Sequence, residues 1–222
     1  MANNIDILGE EAAVRQIVEN DFSATDGHLE DDKVTTLRAY ALGYKSGLKT
    51  ANFPNVTYLN ARVFTNCSNM TECLVPKVTG LSSLAHQFNT CSKLTEIRMP
   101  LVTGDFPNSI FYNNTALTLA DIGMVKSTTQ SAFYNDSNLI AVILRRTSGV
   151  CSLGNTNNFN GTKYATNGAG GAYVYVPRAL ISTYQSATNW ATLYAAHSDM
   201  FRPLEDYTVD GTTTGDFDES LI

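Results

Sequence analysis

The chain has 222 residues, 43% of them hydrophobic, and a formal net charge of −6. That suffices for a real core in one elongated domain, with or without a small appendage, and no run approaches the about 18 apolar residues of a membrane span. Charge is unevenly spread, with net −7 over residues 1–33, +5 over 34–162 and −4 over 163–222; no dense Lys/Arg patch of a nucleic-acid binder is present.

The first stretch, MANNIDILGEEAAVRQ, has no positive region followed by an apolar run, so no secretion signal is expected. Residues 10–19 show helical spacing at Val14, Ile17 and Val18, with Glu10 and Glu11 suited to a first turn. SATDGHLEDD then reads as a polar loop. Its cluster Asp26, His28, Glu30, Asp31 and Asp32 offers oxygen ligands for a hard cation but lacks EF-hand spacing. Residues 1–33 are therefore expected as an acidic, partly helical cap or attachment segment.

From Val34 onward the chain repeats itself. One copy runs Leu48, Pro54, Val56, Phe64, and the next Met70, Pro76, Val78, Phe88. Leu94, Pro100, Val102, Phe111 follow, and then Leu117, Gly123, Val125, Phe133 and Leu139, with Gly in place of Pro. The Phe positions lie 24, 23 and 22 residues apart, a period that marks a solenoid of stacked coils. Leu42 fills the Phe slot of a truncated first copy, which is expected to start without its strand. From Leu or Met to Pro or Gly the distance is always 6 residues, and so is that from Phe to the next Leu or Met. Length varies only between Pro and Phe, as expected of a surface bend.

The constant part, L-x-x-Φ-x-Φ-P with Φ apolar, predicts a short strand with one buried face, ended by a proline that lacks the ladder donor. Its inward positions include Phe53, Val75, Ile97 and Ile122. These, with Leu48, Met70, Leu94, Leu117, Leu139 and the ring column Phe64, Phe88, Phe111 and Phe133, form the expected core shared between neighbouring coils.

The pattern L-T-E-I-x-x-P-x-V-T followed by F-x-N-C/N-x-x-L resembles the BspA-like class of leucine-rich repeat. The likeness covers residues 34–162, where five frames agree. It implies a β-rich solenoid, a right-handed coil of parallel strands. The family occurs in bacterial cell-surface proteins and in bacteriophage structural proteins, so the resemblance implies adhesion or assembly and carries over no catalytic residue.

After Leu139 the frame decays, and the run GNTNNFNGTKYATNGAGG reads as loop. Residues 172–176 are expected as a last strand, and Pro177 as the first position of a helix. Leu180, Ile181, Tyr184, Trp190, Leu193 and Tyr194 would give that helix an apolar face to seal the solenoid end. Residues 163–206 thus make a strand-helix cap, an ending that also resembles BspA-like phage proteins. YTVDGTTTGDFDESLI, residues 207–222, is an acidic tail without core pattern.

Four cysteines do not make a disulfide framework. Cys67 and Cys91 share one repeat position, followed in the next copies by Asn114 and Asp136; stacking could bring the two thiols within bonding range, and small residues at a tight turn explain them equally well. Free thiols are expected, as in a reducing compartment. His28, His86 and His197 lie in unrelated contexts, and no catalytic or phosphate-binding motif appears, so neither catalytic, metal nor cofactor residues are assigned. The outward strand positions are the visible surface. Thr50, Asn52, Glu72, Leu74, Glu96 and Arg98 are mostly polar, whereas Leu119 and Ile143 are apolar. These two either meet a partner or lie under the terminal helix or the long loops. Phe217, Leu221 and Ile222 are the tail's candidate anchors. The expected role is a non-enzymatic virion structural protein made in a bacterial host, homo-oligomeric, contacting other virion proteins, with a host surface receptor as a further candidate partner and with neither nucleic acid nor membrane insertion. A bacterial cell-surface adhesion module is the alternative.

Overall fold

A computed structural model describes residues 27–209 and 212–213. The expected helix over residues 10–19, Asp26, and the anchors Phe217, Leu221 and Ile222 lie outside the described residues.

The chain winds as a solenoid of parallel strands in two rows. The first row is β1 (His28–Glu30), β3 (Thr50–Asn52) and β5 (Glu72–Leu74), continued by β7 (Glu96–Arg98), β9 (Leu119–Asp121), β11 (Ala141–Ile143), β13 (Tyr173–Val176) and β14 (Phe201–Pro203). Pairing runs β1-β3-β5 and then β7-β9-β11-β13-β14. The register repeats the sequence frame, with Ala51 beside Cys73 and Ile97 beside Ala120. One side chain per three-residue strand points inward, and the longer β13 buries two, Val174 and Val176. Each row position of the core expected from Leu48 to Leu139 is fully buried.

The solenoid begins six residues earlier than the repeats suggested. β1 pairs with β3, His28 with Thr50 through Glu30 with Asn52, so the first coil does have its strand. It was hidden because its single inward residue, Leu29, sits among acidic and polar neighbours and shows no alternation. Asp31 closes this strand: its carboxylate accepts the backbone N–H groups of Lys33 at 2.8 Å and Val34 at 3.1 Å.

The second row occupies what the sequence presented as a variable bend. β2 (Thr36–Leu37), β4 (Tyr58–Leu59) and β6 (Gly80–Leu81) pair in parallel, and β8 (Thr103–Phe106), β10 (Met124–Thr128) and β12 (Ser152–Leu153) form a second such group. Four of these six, β2, β4, β6 and β12, are two-residue bridges, too short to show a period of two. The recurrence of V-T-x-L at 34–37, 56–59 and 78–81 is the signal that marks the first three. Thr57, Thr79 and Thr103 each hydrogen-bond a carbonyl of the preceding coil, that of Thr35, Thr57 and Thr79 respectively. Gly123 stands where earlier copies have Pro because its φ is +63° and a Cβ there would lie 2.6 Å from the Pro100 carbonyl oxygen; proline's fixed negative φ is incompatible with that corner.

The turn between the rows is held by the Phe column. Phe64, Phe88, Phe111, Phe133 and Phe159 stack at centroid distances of 5.1, 5.5, 5.7 and 5.3 Å. Two residues before and two after each of Leu42, Phe64, Phe88, Phe111 and Phe133 the backbone is left-handed, as at Arg62 and Asn66 or Ser109 and Asn113. That alternation aims N–H groups along the stack: Phe64, Phe88 and Phe111 donate to Gln87, Ile110 and Ala132 of the following coil at 2.8–3.0 Å. The turn's backbone polar groups are thereby paired between coils, which is how a buried turn stays affordable.

Three residues after the Phe runs a buried polar column. The Cys67 and Cys91 thiols donate to the carbonyls of Leu42 and Phe64 at 3.1 and 3.0 Å. Further along, the Asn114 amide oxygen accepts Cys91 N–H, and the Asp136 carboxylate accepts Asn114 N–H, both at 2.7 Å. All four cysteines are free and buried, and burial pushes the Cys67 thiol up to about 12 and Cys91 well above its usual value. They therefore stay protonated, as donors must. Burial also drives the Asp136 carboxyl well above the usual carboxylate range, against the opposing Asn114 hydrogen bond. A carboxyl that holds its proton more tightly in the folded state contributes stability that is full below its unfolded value of about 3.9. That contribution is lost as pH rises through the folded value. Asp136→Asn keeps the acceptor without the ionisation. Calorimetry between pH 4 and 8 should show the variant's midpoint gaining on the wild type as pH rises; parallel profiles would refute a protonated Asp136.

At the far end the expected single helix is two. Pro177 precedes a 3-10 turn, Arg178–Leu180, leading into α1 (Ile181–Ser186), and α2 (Trp190–Ala196) follows a break at Asn189, whose φ is 65°. The Asn189 amide donates to the Leu153 carbonyl at 2.7 Å, Trp190 Nε1 to that of Cys151 at 2.7 Å, and the Tyr184 hydroxyl accepts Cys151 N–H at 2.8 Å. Trp190 lies 5.8 Å from Phe159 and closes the ring column. Tyr184, Trp190 and Leu193 are buried, with Leu180, Ile181 and Tyr194 packed at their margin.

Candidate interaction surface

The outer face of the first row alternates with the core, so each strand presents two outward side chains. On β1, β3 and β5 they are His28 and Glu30, Thr50 and Asn52, Glu72 and Leu74. They bind one another along the row: His28 Nδ1 to Thr50 Oγ1, and the Asn52 amide to the Glu30 carboxylate at 3.0 Å. Leu74 is 46% exposed among them. On β7, the Arg98 guanidinium meets Glu96 at 2.6 Å. This half of the face is open and polar.

The other half differs. Asp121, on β9, is 1% exposed and binds the Arg145 guanidinium, itself 13% exposed, through contacts of 2.7, 2.9 and 3.1 Å. Gly123 N–H donates to the same carboxylate at 3.2 Å. Leu119 and Ile143 are outward by period but not open to solvent. With Ala141 they are buried against Leu204 and Tyr207, with Tyr175 at the edge. The cover is the segment after β14 rather than the helices, and it is why Tyr207 does not belong to the tail: removal of residues 207–222 would uncover this patch. The tail continues as a short antiparallel pair, β15 (Thr208–Val209) with β16 (Thr212–Thr213).

A further surface, not anticipated, lies at the Phe-side turns. Tyr40 and Tyr44 flank Leu42 at left-handed positions and are exposed, with the Arg62 guanidinium 5.6 Å over the Tyr40 ring. Tyr112 and Tyr134 stack at 5.1 Å with their planes 4° apart. The second pair was signalled in the sequence, since Tyr112 and Tyr134 each directly follow the Phe of their coil. Leu84, 75% exposed, sits where the third bend is longest. Among the described residues, no group of three or more His, Cys, Asp or Glu side chains is placed to hold a metal, and no helix is long and apolar enough to cross a membrane.

A repeated coil with inward apolar columns and one polar outer face is matched at family level. The BspA type Leucine rich repeat region fits the chain in 6 copies, over residues 15–140 and 84–164. The chain belongs to the BspA-type leucine-rich repeat family. No curated protein and no solved structure matches it. As a BspA-type repeat protein it is a module of the interaction or adhesion kind, and its chemistry is that of a surface: ladders of amides, hydroxyls and carboxylates at the coil spacing of about 4.8 Å.

Proposed function

We propose that this BspA-type repeat protein is a non-enzymatic bacteriophage virion component, attached by its acidic ends and displaying the repeat body for protein–protein contact or host adhesion. The observation that carries the interaction role is the open outer face of β1, β3, β5 and β7, a largely polar array whose first three strands pair in register. Rigid strands hold recognition groups better than loops, because little side-chain order remains to be imposed on binding. The virion assignment is supported by the resemblance of the repeats and of the strand-helix ending to phage structural proteins. A basic repeat body between acidic ends also suits end-to-body docking between copies or with other virion proteins.

The test is where the chain resides. Immunoblotting of gradient-purified particles and of host envelope fractions should place it in the particles, at constant stoichiometry to the major capsid or tail protein. Recovery only from the cell envelope would establish the alternative, a bacterial surface-adhesion module.

A further inference from the structure

The second apolar cluster lies outside the solenoid core, on the outer face of the first row. Its floor is Leu119, Ala141 and Ile143, its edge Tyr175, and its cover Leu204 and Tyr207. The covering segment, Leu204-Glu205-Asp206-Tyr207, is matched position by position. Leu204 enters the apolar floor. The Glu205 carboxylate accepts the Arg178 backbone N–H at 3.1 and 3.0 Å, and Asp206 pairs with the Arg178 guanidinium. The Tyr207 ring meets Tyr175 edge-on at 4.8 Å, with the Arg98 guanidinium close to its hydroxyl.

The hold is weak by its composition. The Arg178–Asp206 pair is 59% and 58% exposed, where water and salt reduce an ion pair to little. Two buried side chains must then offset the ordering of four residues. One end of the lane also stays open, because beyond Arg98 the face continues to Glu72 and the exposed Leu74 on β5.

We propose that residues 204–207 are a displaceable strap over a peptide-docking lane, and that the lane takes from a partner protein a segment of the same chemistry, an apolar residue followed by two acidic residues and a tyrosine. The chain's own strap shows what the lane accepts: an apolar side chain on the floor, a carboxylate at the Arg178 backbone N–H, a second beside its guanidinium, and a ring against Tyr175. The proposal rests on the outer face being an interaction surface and adds the partner's chemistry and the gate.

The probe is a fluorescein-labelled peptide of residues 201–209, FRPLEDYTV, titrated by fluorescence anisotropy against the full chain. Leu204→Ser with Tyr207→Ala releases the strap and is expected to bind the peptide at least about tenfold tighter than wild type, since the competent state is no longer occluded. A scrambled peptide should not bind. Absence of binding to a natively folded double variant, equal affinity for wild type and variant, or equal affinity for the scramble would each overturn the proposal. Should that variant not fold, Glu205→Gln with Asp206→Asn keeps the apolar cover and loosens only the polar hold. Tighter binding than wild type is expected there, and unchanged binding is the overturning result. Peptide titration reads the lane alone and particle fractionation reads the virion role, so either can fail without the other.

Discussion

Phe111→Ala is expected to destabilise the solenoid by about 3–5 kcal/mol. Phe111 has no exposed surface and touches rings on both sides, Phe88 at 5.5 Å and Phe133 at 5.7 Å, with Phe106 at 5.7 Å from the second row. Its loss opens a void in a column whose neighbours cannot collapse, because their backbones are tied coil to coil by the turn hydrogen bonds. In a repeat array the damage falls on two interfaces at once, and nearest-neighbour interfaces carry much of the stability. Urea unfolding followed by circular dichroism should show a clear drop in midpoint. Leu84→Ser, at an exposed position, should stay within about 0.5 kcal/mol of wild type. Equal midpoints for the two variants would mean that the ring column does not hold the coils together.

Arg145→Met is the second large effect, expected at about 3–5 kcal/mol. The pair it breaks is buried and multiply bonded, and Asp121 would keep only the Gly123 N–H. An uncompensated buried carboxylate is costly, whereas replacing both partners by apolar groups of similar size is often neutral or better. The double variant Asp121→Leu with Arg145→Met should therefore unfold at a higher urea concentration than Arg145→Met alone. If the two losses simply add, Arg145 acts through its packing and not through the charge of Asp121.

How far the sequence speaks depends on how many copies state the same thing. The coil, its parallel strands, the inward columns and the Phe stack were all legible, because five frames repeat the offsets and each offset has one physical meaning. The capping role of Tyr184, Trp190 and Leu193 was legible for a related reason: an exposed solenoid end needs an apolar cover. What occurs once was not. β1 carries a single apolar residue among acidic ones, and β14 is a three-residue strand that follows the helical cap rather than another repeat. The second-row strands fell within the segment whose length varies, and the first three show only as a recurring V-T-x-L.

For the surface, alternation told which residues point outward but not what lies over them. Leu119 and Ile143 are outward by period and buried in fact, because Leu204 and Tyr207 return across the sheet from more than sixty residues along the chain. The pairing of Asp121 with Arg145 likewise joins one strand to the second residue past the next coil's strand. Local pattern sets a side chain's direction; only the path of the whole chain decides whether that direction leads to water, to a partner or to the chain itself.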